Sequence, residues 1–167
     1  MVKSGIKWNK NHEGVILFRG VNIISLDAKG RFAMPTRYRE SLDASCAGKL
    51  VVTVDRDHCL LIYPFSEWEE IERKLVRLPS FNKQARSLQR LLIGHATECD
   101  LDGNGRLLIT PPLRQFANLD KRAVLIGQGN KFELWDEQVW NQKCEQWFDE
   151  GSMDGEGLPP ELESLSL

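Results

Sequence analysis

The sequence predicts an α+β fold, mainly β, in which two copies of one unit form a single small barrel with peripheral helices. Three observations predict it: a six-residue phrase that occurs twice, short β-type runs that follow each copy in the same order, and helical segments between them. Residues 26–31 read LDAKGR and residues 101–106 read LDGNGR, an offset of 75. Five residues are identical between 26–40 and 101–115, where average composition would give about one. The unit is therefore duplicated.

The first copy opens with a strand-like stretch from Leu17 to the turn at 27–31. Pro35 followed by Thr36 is typical of a helix start and predicts a short helix over 37–42. A strand, a tight turn and a short helix are thus expected in that order.

A hairpin and a longer helix complete the first copy. The β-rich runs 49–55 and 59–63 predict the hairpin. Ser66 and Glu69 have the spacing of a capping box, which predicts a helix from there to about Leu78.

The second copy is expected to repeat this order after a connecting helix. Asn82 is a suitable cap for a helix over 83–94. The matching segments are a strand ending at 101, a turn at 102–106, a strand at 107–109, a short helix from 111, a hairpin of 123–126 and 131–135 around a turn at 127–130, and a final helix with Val139, Trp140 and Trp147. The similarity resumes at an offset of 72, where 52–54 matches 124–126 and Trp68 matches Trp140.

Strands of three to seven residues are not stable as isolated sheets. Two copies that interleave their hairpins could close one barrel, which also removes exposed sheet edges. An internal pseudo-two-fold axis is the expected geometry of such a pair.

The chain divides into six expected segments. They are a flexible extension at 1–16, a first repeat at 17–67, a helical connector at 68–94, a second repeat at 95–138, a C-terminal helix at 139–150 and a flexible acidic tail at 151–167.

Composition indicates an ordinary soluble globular protein, with 41% hydrophobic and 28% charged residues. No apolar stretch approaches the ~18 residues of a membrane span, and no signal-peptide pattern is present. We therefore expect a cytoplasmic protein without a membrane partner, whose four spread cysteines are reduced.

The charge is unevenly distributed. Residues 145–167 carry seven acids and no Lys or Arg, so a net charge of −2 for the whole chain leaves +5 on residues 1–144. The stretch 73–97 contains six basic residues and no acid. It is either a solvated helix face or a surface for a polyanion or a protein partner.

The repeated phrase has two possible roles. Asp27 at the start of a turn can accept backbone N–H groups, and Gly30 permits a positive φ. Arg31 could pair with Asp27 and lock the turn, or project as a bidentate donor to phosphate or to guanine. The spacing alone leaves both roles open.

Catalytic and metal-binding patterns are weak. The segment 100–105 imitates a calcium loop, but Pro111 stands where the bidentate Glu is required. His58, Cys59, His95 and Cys99 lack the spacing of a zinc site. No nucleophile–base pattern is present, so we expect no enzyme, no cofactor and no small-molecule substrate. Trp68, Trp135, Trp140 and Trp147 are expected in the core or in an interface.

Four long strings resemble the MraZ family of bacterial transcriptional regulators. They are FRGVNIISLDAKGRFAMPTRYRE (18–40), LVVTVDRDHCLLIYPFSEWEEIE (50–72), ARSLQRLLIGHATECDLDGNGRLLITPPLR (85–114) and VLIGQGNKFELWDEQVW (124–140). The resemblance implies a swapped-hairpin, double-split barrel of the AbrB/SpoVT type with two D-x-x-x-R motifs. It also implies nucleoid-associated rings that bind repeated promoter sites upstream of the division and cell-wall genes, and regulate them as a repressor and autoregulator.

Carried over by position, the resemblance makes Lys29, Arg31, Asn104 and Arg106 the DNA-binding residues. It makes Asp27, Gly30, Asp102 and Gly105 the structural residues of the two turns. Thr110 departs from the proline found at Pro35, and Asn104 stands opposite Lys29, so the first loop is expected to attract phosphate more strongly. The alternative is a non-catalytic oligomeric interaction module in which both D-x-x-G-R turns are only structural.

Overall fold

The computed structural model describes residues 17–150 and 160–163. Its strands are β1 (Phe18–Ser25), β2 (Arg31–Ala33), β3 (Lys49–Val54), β4 (Leu60–Pro64), β5 (Thr97–Asp100), β6 (Arg106–Leu108), β7 (Arg122–Gly129) and β8 (Lys131–Asp136). Its helices are α1 (Thr36–Cys46), α2 (Phe65–Val76), α3 (Lys83–Leu92), α4 (Pro111–Phe116), α5 (Glu137–Asp149) and α6 (Pro160–Glu163). The predicted extension at 1–16 lies outside the described residues, as does the predicted tail apart from the single turn α6. None of the helices in this part of the chain is long and apolar enough to cross a membrane.

The strands are exchanged between the two copies. The large sheet has the antiparallel order β1-β7-β8-β4-β3-β5, and β2 pairs with β6 in a separate two-stranded ribbon. The first strand of each copy thus pairs with the hairpin of the other copy, while β4 and β8 meet in the middle. This confirms the mainly β, duplicated swapped-hairpin fold.

The strand pairing corrects the alignment of the two copies by one residue. Leu50 pairs with Cys99, and the symmetric pair in the other half is Ala123 with Ile24. These pairs relate β3 to β7 at an offset of 73. Matching Val52 with Val124 was therefore wrong, because the second hairpin connection is one residue shorter. A one-residue slip turns every side chain to the other face.

The core lies between the inner face of the large sheet, the ribbon and helices α1 and α4. Phe32 and Leu107, in the middle of the ribbon strands, are 1% and 0% exposed. Further residues of this core are Phe18, Met34, Tyr38, Leu42, Leu50, Val52, Ile62, Ile109, Leu113, Leu125, Phe132 and Leu134. Burying this apolar set places the ribbon rigidly over the open side of the sheet.

Three local predictions were wrong in detail. β4 continues to Pro64 and passes directly into α2, so Ser66 lies inside the first turn and no side chain caps the helix. Helix α1 extends to Cys46, because Tyr38 and Leu42 are buried on one face. Gly127 is not in a turn but inside β7, where an added Cβ would lie 2.4 Å from the backbone nitrogen of Arg19.

The two halves of the outer face are covered differently. Helices α2 and α3 pack on β3 and β4 through a cluster that includes Val51, Leu61, Tyr63, Trp68 and Leu75. The Asn82 cap of α3 is confirmed, since its side chain accepts the backbone N–H of Ala85. The second half has α5 alone, with no described counterpart of α3.

Candidate nucleic-acid interface

The first turn is built by one carboxylate. Oδ1 of Asp27 accepts the backbone N–H groups of Lys29 and Arg31 at 3.0 and 2.9 Å. Oδ2 accepts Nε–H of Arg31 at 2.8 Å. All three bonds lie within five residues, so they are local and stabilise the turn independently of distant segments.

The second turn repeats these bonds almost atom for atom. Asp102 accepts the backbone N–H groups of Asn104 and Arg106 at 2.8 and 2.9 Å, and Nε–H of Arg106 at 3.1 Å. Gly30 and Gly105 have φ values of +87° and +69°, which only glycine adopts readily. The predicted structural residues of both turns therefore occupy equivalent positions.

Both aspartates are held in the charged form. The backbone N–H of Arg31 is the main cause that lowers the pKa of Asp27, and the guanidinium of Arg31 adds to it. The backbone N–H of Arg106 does the same for the pKa of Asp102. Hydrogen bonds to the carboxylate favour ionisation, so each turn is locked at neutral pH.

The ribbon brings the two arginines to one face. Arg31 pairs with Leu108 and Ala33 pairs with Arg106, while Phe32 and Leu107 point into the core. Side chains alternate along a strand, so both arginines lie on the outer face, diagonally across the ribbon. Such diagonal neighbours are about 7–8 Å apart.

Each arginine keeps donors available for a ligand. The ion pair with the aspartate uses Nε, and the terminal NH₂ groups of Arg31 and Arg106 form no hydrogen bond within the described residues. Their side chains are 28% and 33% exposed. Turn locking and outward presentation, the two roles that the spacing left open, are thus compatible in one geometry.

The loop tips differ in charge. Lys29 is exposed at the end of the ribbon near Arg31, and Asn104 is exposed at the end near Arg106. Between them, the four predicted DNA-binding residues provide three positive charges at the two ends of one ribbon.

Two further arginines escaped the prediction of site residues. Arg114 in α4 lies against Gly30, and Arg39 in α1 lies against Gly105. The signal was present in the sequence, since Arg39 and Arg114 are the fifth identity between the duplicated segments. A shared arginine without a pattern of its own gave no reason to place it beneath the other copy's turn.

The four tryptophans of the described residues, Trp68, Trp135, Trp140 and Trp147, lie on the outer face rather than in the ribbon. Trp68 and Trp135 are 3% and 2% exposed, whereas Trp147 is 44% exposed. Trp135, Trp140 and Trp147 form a cluster with ring centroids 5.6 to 5.9 Å apart. Within the described residues, no three His, Cys, Asp or Glu side chains converge as a metal site would require.

The fold and the ribbon define a class: a duplicated swapped-hairpin barrel that presents one aspartate-oriented arginine from each half. The family described as "MraZ protein, putative antitoxin-like" matches this chain twice, over residues 17–91 and 92–156. The chain belongs to the MraZ family.

Several relatives are similar over nearly the whole chain, and each carries the name "Transcriptional regulator MraZ". The protein of Methylococcus capsulatus is 62% identical over 152 residues, which is 90% of this chain and 100% of the relative. That of Thioalkalivibrio sulfidiphilus is 59% identical over 151 residues, with the same coverage. That of Pseudomonas aeruginosa is 58% identical over 152 residues, again with 90% and 100% covered.

Proposed function

We propose that this chain is a sequence-specific, DNA-binding transcriptional regulator without catalytic activity. It binds repeated promoter sites in double-stranded DNA as a ring-shaped homo-oligomer, and represses the division and cell-wall gene cluster that includes its own gene. The name shared by its relatives supports the regulatory role. The observation that carries the DNA-binding role is the outer face of the β2–β6 ribbon, with Arg31 and Arg106 on it.

A two-stranded ribbon fits the major groove, which is about 12 Å wide. Arg31 and Arg106 can each donate two parallel hydrogen bonds to guanine O6 and N7, or to a phosphate. Asp27 and Asp102 fix their direction, which lowers the conformational entropy lost on binding. Lys29 adds phosphate attraction at one end, and Asn104 adds a neutral hydrogen-bonding group at the other.

One protomer offers few contacts to DNA. The affinity must therefore come from several protomers that bind repeated sites at the same time. Two different exposed patches support head-to-tail assembly. The end of α5 exposes Phe148 beside three acids, and the α2–α3 connection exposes Phe81 beside basic residues. The acids are Glu145, Asp149 and Glu150, and the basic residues that flank Phe81 along the chain are Arg77 and Lys83. Complementary, unlike patches form rings when the rotation closes.

The test is a fluorescence anisotropy titration of a labelled duplex from the DNA upstream of the chain's own gene. Arg31→Ala and Arg106→Ala are each expected to weaken binding about ten-fold or more, since a bidentate contact to a base contributes ~1–3 kcal/mol. Arg90→Ala removes the same charge from the exposed face of α3 and serves as the matched control. A duplex of scrambled sequence measures the non-specific part.

Light scattering of the same samples reports their assembly. If both ribbon variants bind the specific duplex as tightly as the wild-type protein while the oligomer persists, the ribbon is not the DNA-binding site. The interaction-module alternative would then be favoured, with the D-x-x-G-R turns as structural elements only.

A further inference from the structure

Each of the two turns is hydrogen-bonded to the other half of the duplicated chain. The backbone N–H of Ile109 donates to the carbonyl of Gly30 at 2.9 Å, and that of Met34 donates to the carbonyl of Gly105, also at 2.9 Å. Each loop is thereby attached to the segment that follows the other loop. The attachment crosses from one copy to the other at both ends of the ribbon.

An arginine completes each attachment. Nε–H of Arg114 donates to the carbonyl of Ile109 at 3.0 Å, and an NH₂ group of Arg39 donates to the carbonyl of Met34 at 3.0 Å. The guanidinium of Arg114 lies against Gly30, and that of Arg39 lies against Gly105. A Cβ on Gly30 would be 2.6 Å from Nε of Arg114, and a Cβ on Gly105 would be 2.1 Å from Nε of Arg39.

Both glycines are buried although their loops are exposed. A guanidinium lies on each of them, Arg114 on Gly30 and Arg39 on Gly105. A planar guanidinium can lie flat against a peptide that lacks a Cβ while it caps a carbonyl at its edge. An ammonium on a flexible stem cannot provide both contacts.

We propose that Arg39 and Arg114 are positioning residues for DNA binding, and that each acts on the loop of the opposite copy. Arg114 sets the height and angle of the first loop, and with it the direction of Arg31. Arg39 sets the second loop and the direction of Arg106. This inference rests on the proposed DNA-binding function of the ribbon.

The proposal predicts that each helical arginine affects DNA binding only through the loop of the opposite copy. Arg114→Lys keeps the charge and is expected to weaken specific binding about five- to ten-fold. In Arg114→Gln, which removes the charge, the salt dependence should keep the wild-type slope, because Arg114 is not a phosphate contact. In double variants the effect of Arg114→Lys should largely disappear beside Arg31→Ala, and should persist in full beside Arg106→Ala. Arg39→Lys should show the reverse pattern.

A second measurement uses the free protein. Amide hydrogen exchange of Arg114→Lys should speed up at residues 28–31 and not at 103–106, and Arg39→Lys should do the opposite. This readout needs no DNA, so it separates failure of this inference from failure of the proposed function.

Three results would overturn the positioning role. Equal loss of DNA affinity in both double-variant backgrounds, with a lowered Tm, would indicate general destabilisation. A salt slope that Arg114→Gln reduces by about one per bound protomer would make Arg114 a phosphate contact. Faster amide exchange in both loops, or only in the loop of the arginine's own copy, would show that the arginine does not act on the opposite loop.

Discussion

The two turns are nearly identical in geometry, whereas the two outer faces of the sheet are not. Each turn repeats the same three hydrogen bonds to its aspartate, to within 0.3 Å. On the outer face, Leu75 in α2 corresponds to Trp147 in α5 at the offset of 72. Leu75 is 6% exposed and Trp147 is 44% exposed. The two halves therefore match in their turns and in their strand pairing, and they differ in what covers the outer face of the sheet.

Among the described residues, the two outer faces differ in whether a second helix packs on them. Helix α3 covers the first half, attached by the Thr53 hydroxyl, which donates to the carbonyl of Leu92 at 2.6 Å. The side chain of Gln89 donates to the carbonyl of Leu75 at 2.7 Å and joins α3 to α2. In the second half, the Trp135, Trp140 and Trp147 rings cover one another instead, and Val21 and Ile23 on β1 stay 57% and 64% exposed.

The largest expected effect tests this comparison on stability. Leu75→Ala removes a side chain enclosed by α3 and should cost about 2–5 kcal/mol of unfolding free energy. Trp147→Ala, at the equivalent position, should cost roughly 1–2 kcal/mol, because much of the ring is exposed and mainly ring–ring contacts are lost. Chemical denaturation at two protein concentrations measures both.

The concentration dependence sharpens the test. If Trp147 lies in a contact between protomers, the loss of unfolding free energy caused by Trp147→Ala should increase with protein concentration. Costs that are equal for the two variants at the lower concentration would show that the halves are equally covered.

The second prediction compares the loop tips. Lys29→Gln should weaken DNA binding several-fold and reduce the slope of log K against log salt by about one for each copy bound. Asn104→Ala should leave the slope unchanged and affect affinity less, since a neutral group releases no counterion. DNA titrations at four salt concentrations measure the slope for each variant and for the wild-type protein. Equal slopes for both variants and the wild-type protein would contradict an unequal role of the loops.

The smallest effect concerns pH. The pKa of Asp27 and that of Asp102 are lowered in the fold, so their contribution to stability is complete above the unfolded value of about 3.9. It is lost as the pH falls through the lower folded values. The Tm difference between the wild-type protein and Asp27→Asn or Asp102→Asn should therefore be constant from pH 5 to 7 and narrow below pH 4. A difference that grows in acid would contradict the sign of both shifts.

The sequence predicted the repeated features more reliably than the residue-by-residue alignment of the two copies. The duplication, the order of the elements, the Asn82 cap and the short helix after Pro111 were all evident from residue type and spacing. The copies were misaligned at the third strand because Val52 and Val124 are the same residue. Identity cannot tell which face of a strand a side chain occupies when the loop that follows has changed length.

The contact of each helical arginine with the opposite glycine was missed for a different reason. Arg39 and Arg114 lie eight residues after the arginines of their own turns. Within one copy this spacing suggests no contact. The relevant partner is 66 residues away for Arg39 and 84 for Arg114, and only the exchange of strands brings the partners together.

By itself, the sequence determined the two turns, because an aspartate, a glycine and an arginine within five residues satisfy one another through local hydrogen bonds. It also determined the duplication and the mainly β class. Only the tertiary structure decided that β2 and β6 pair, that their arginines share one face and that each loop rests on the other copy. Those features depend on burying Phe32 and Leu107 between segments 75 residues apart, and such non-local packing has no signature in residue spacing.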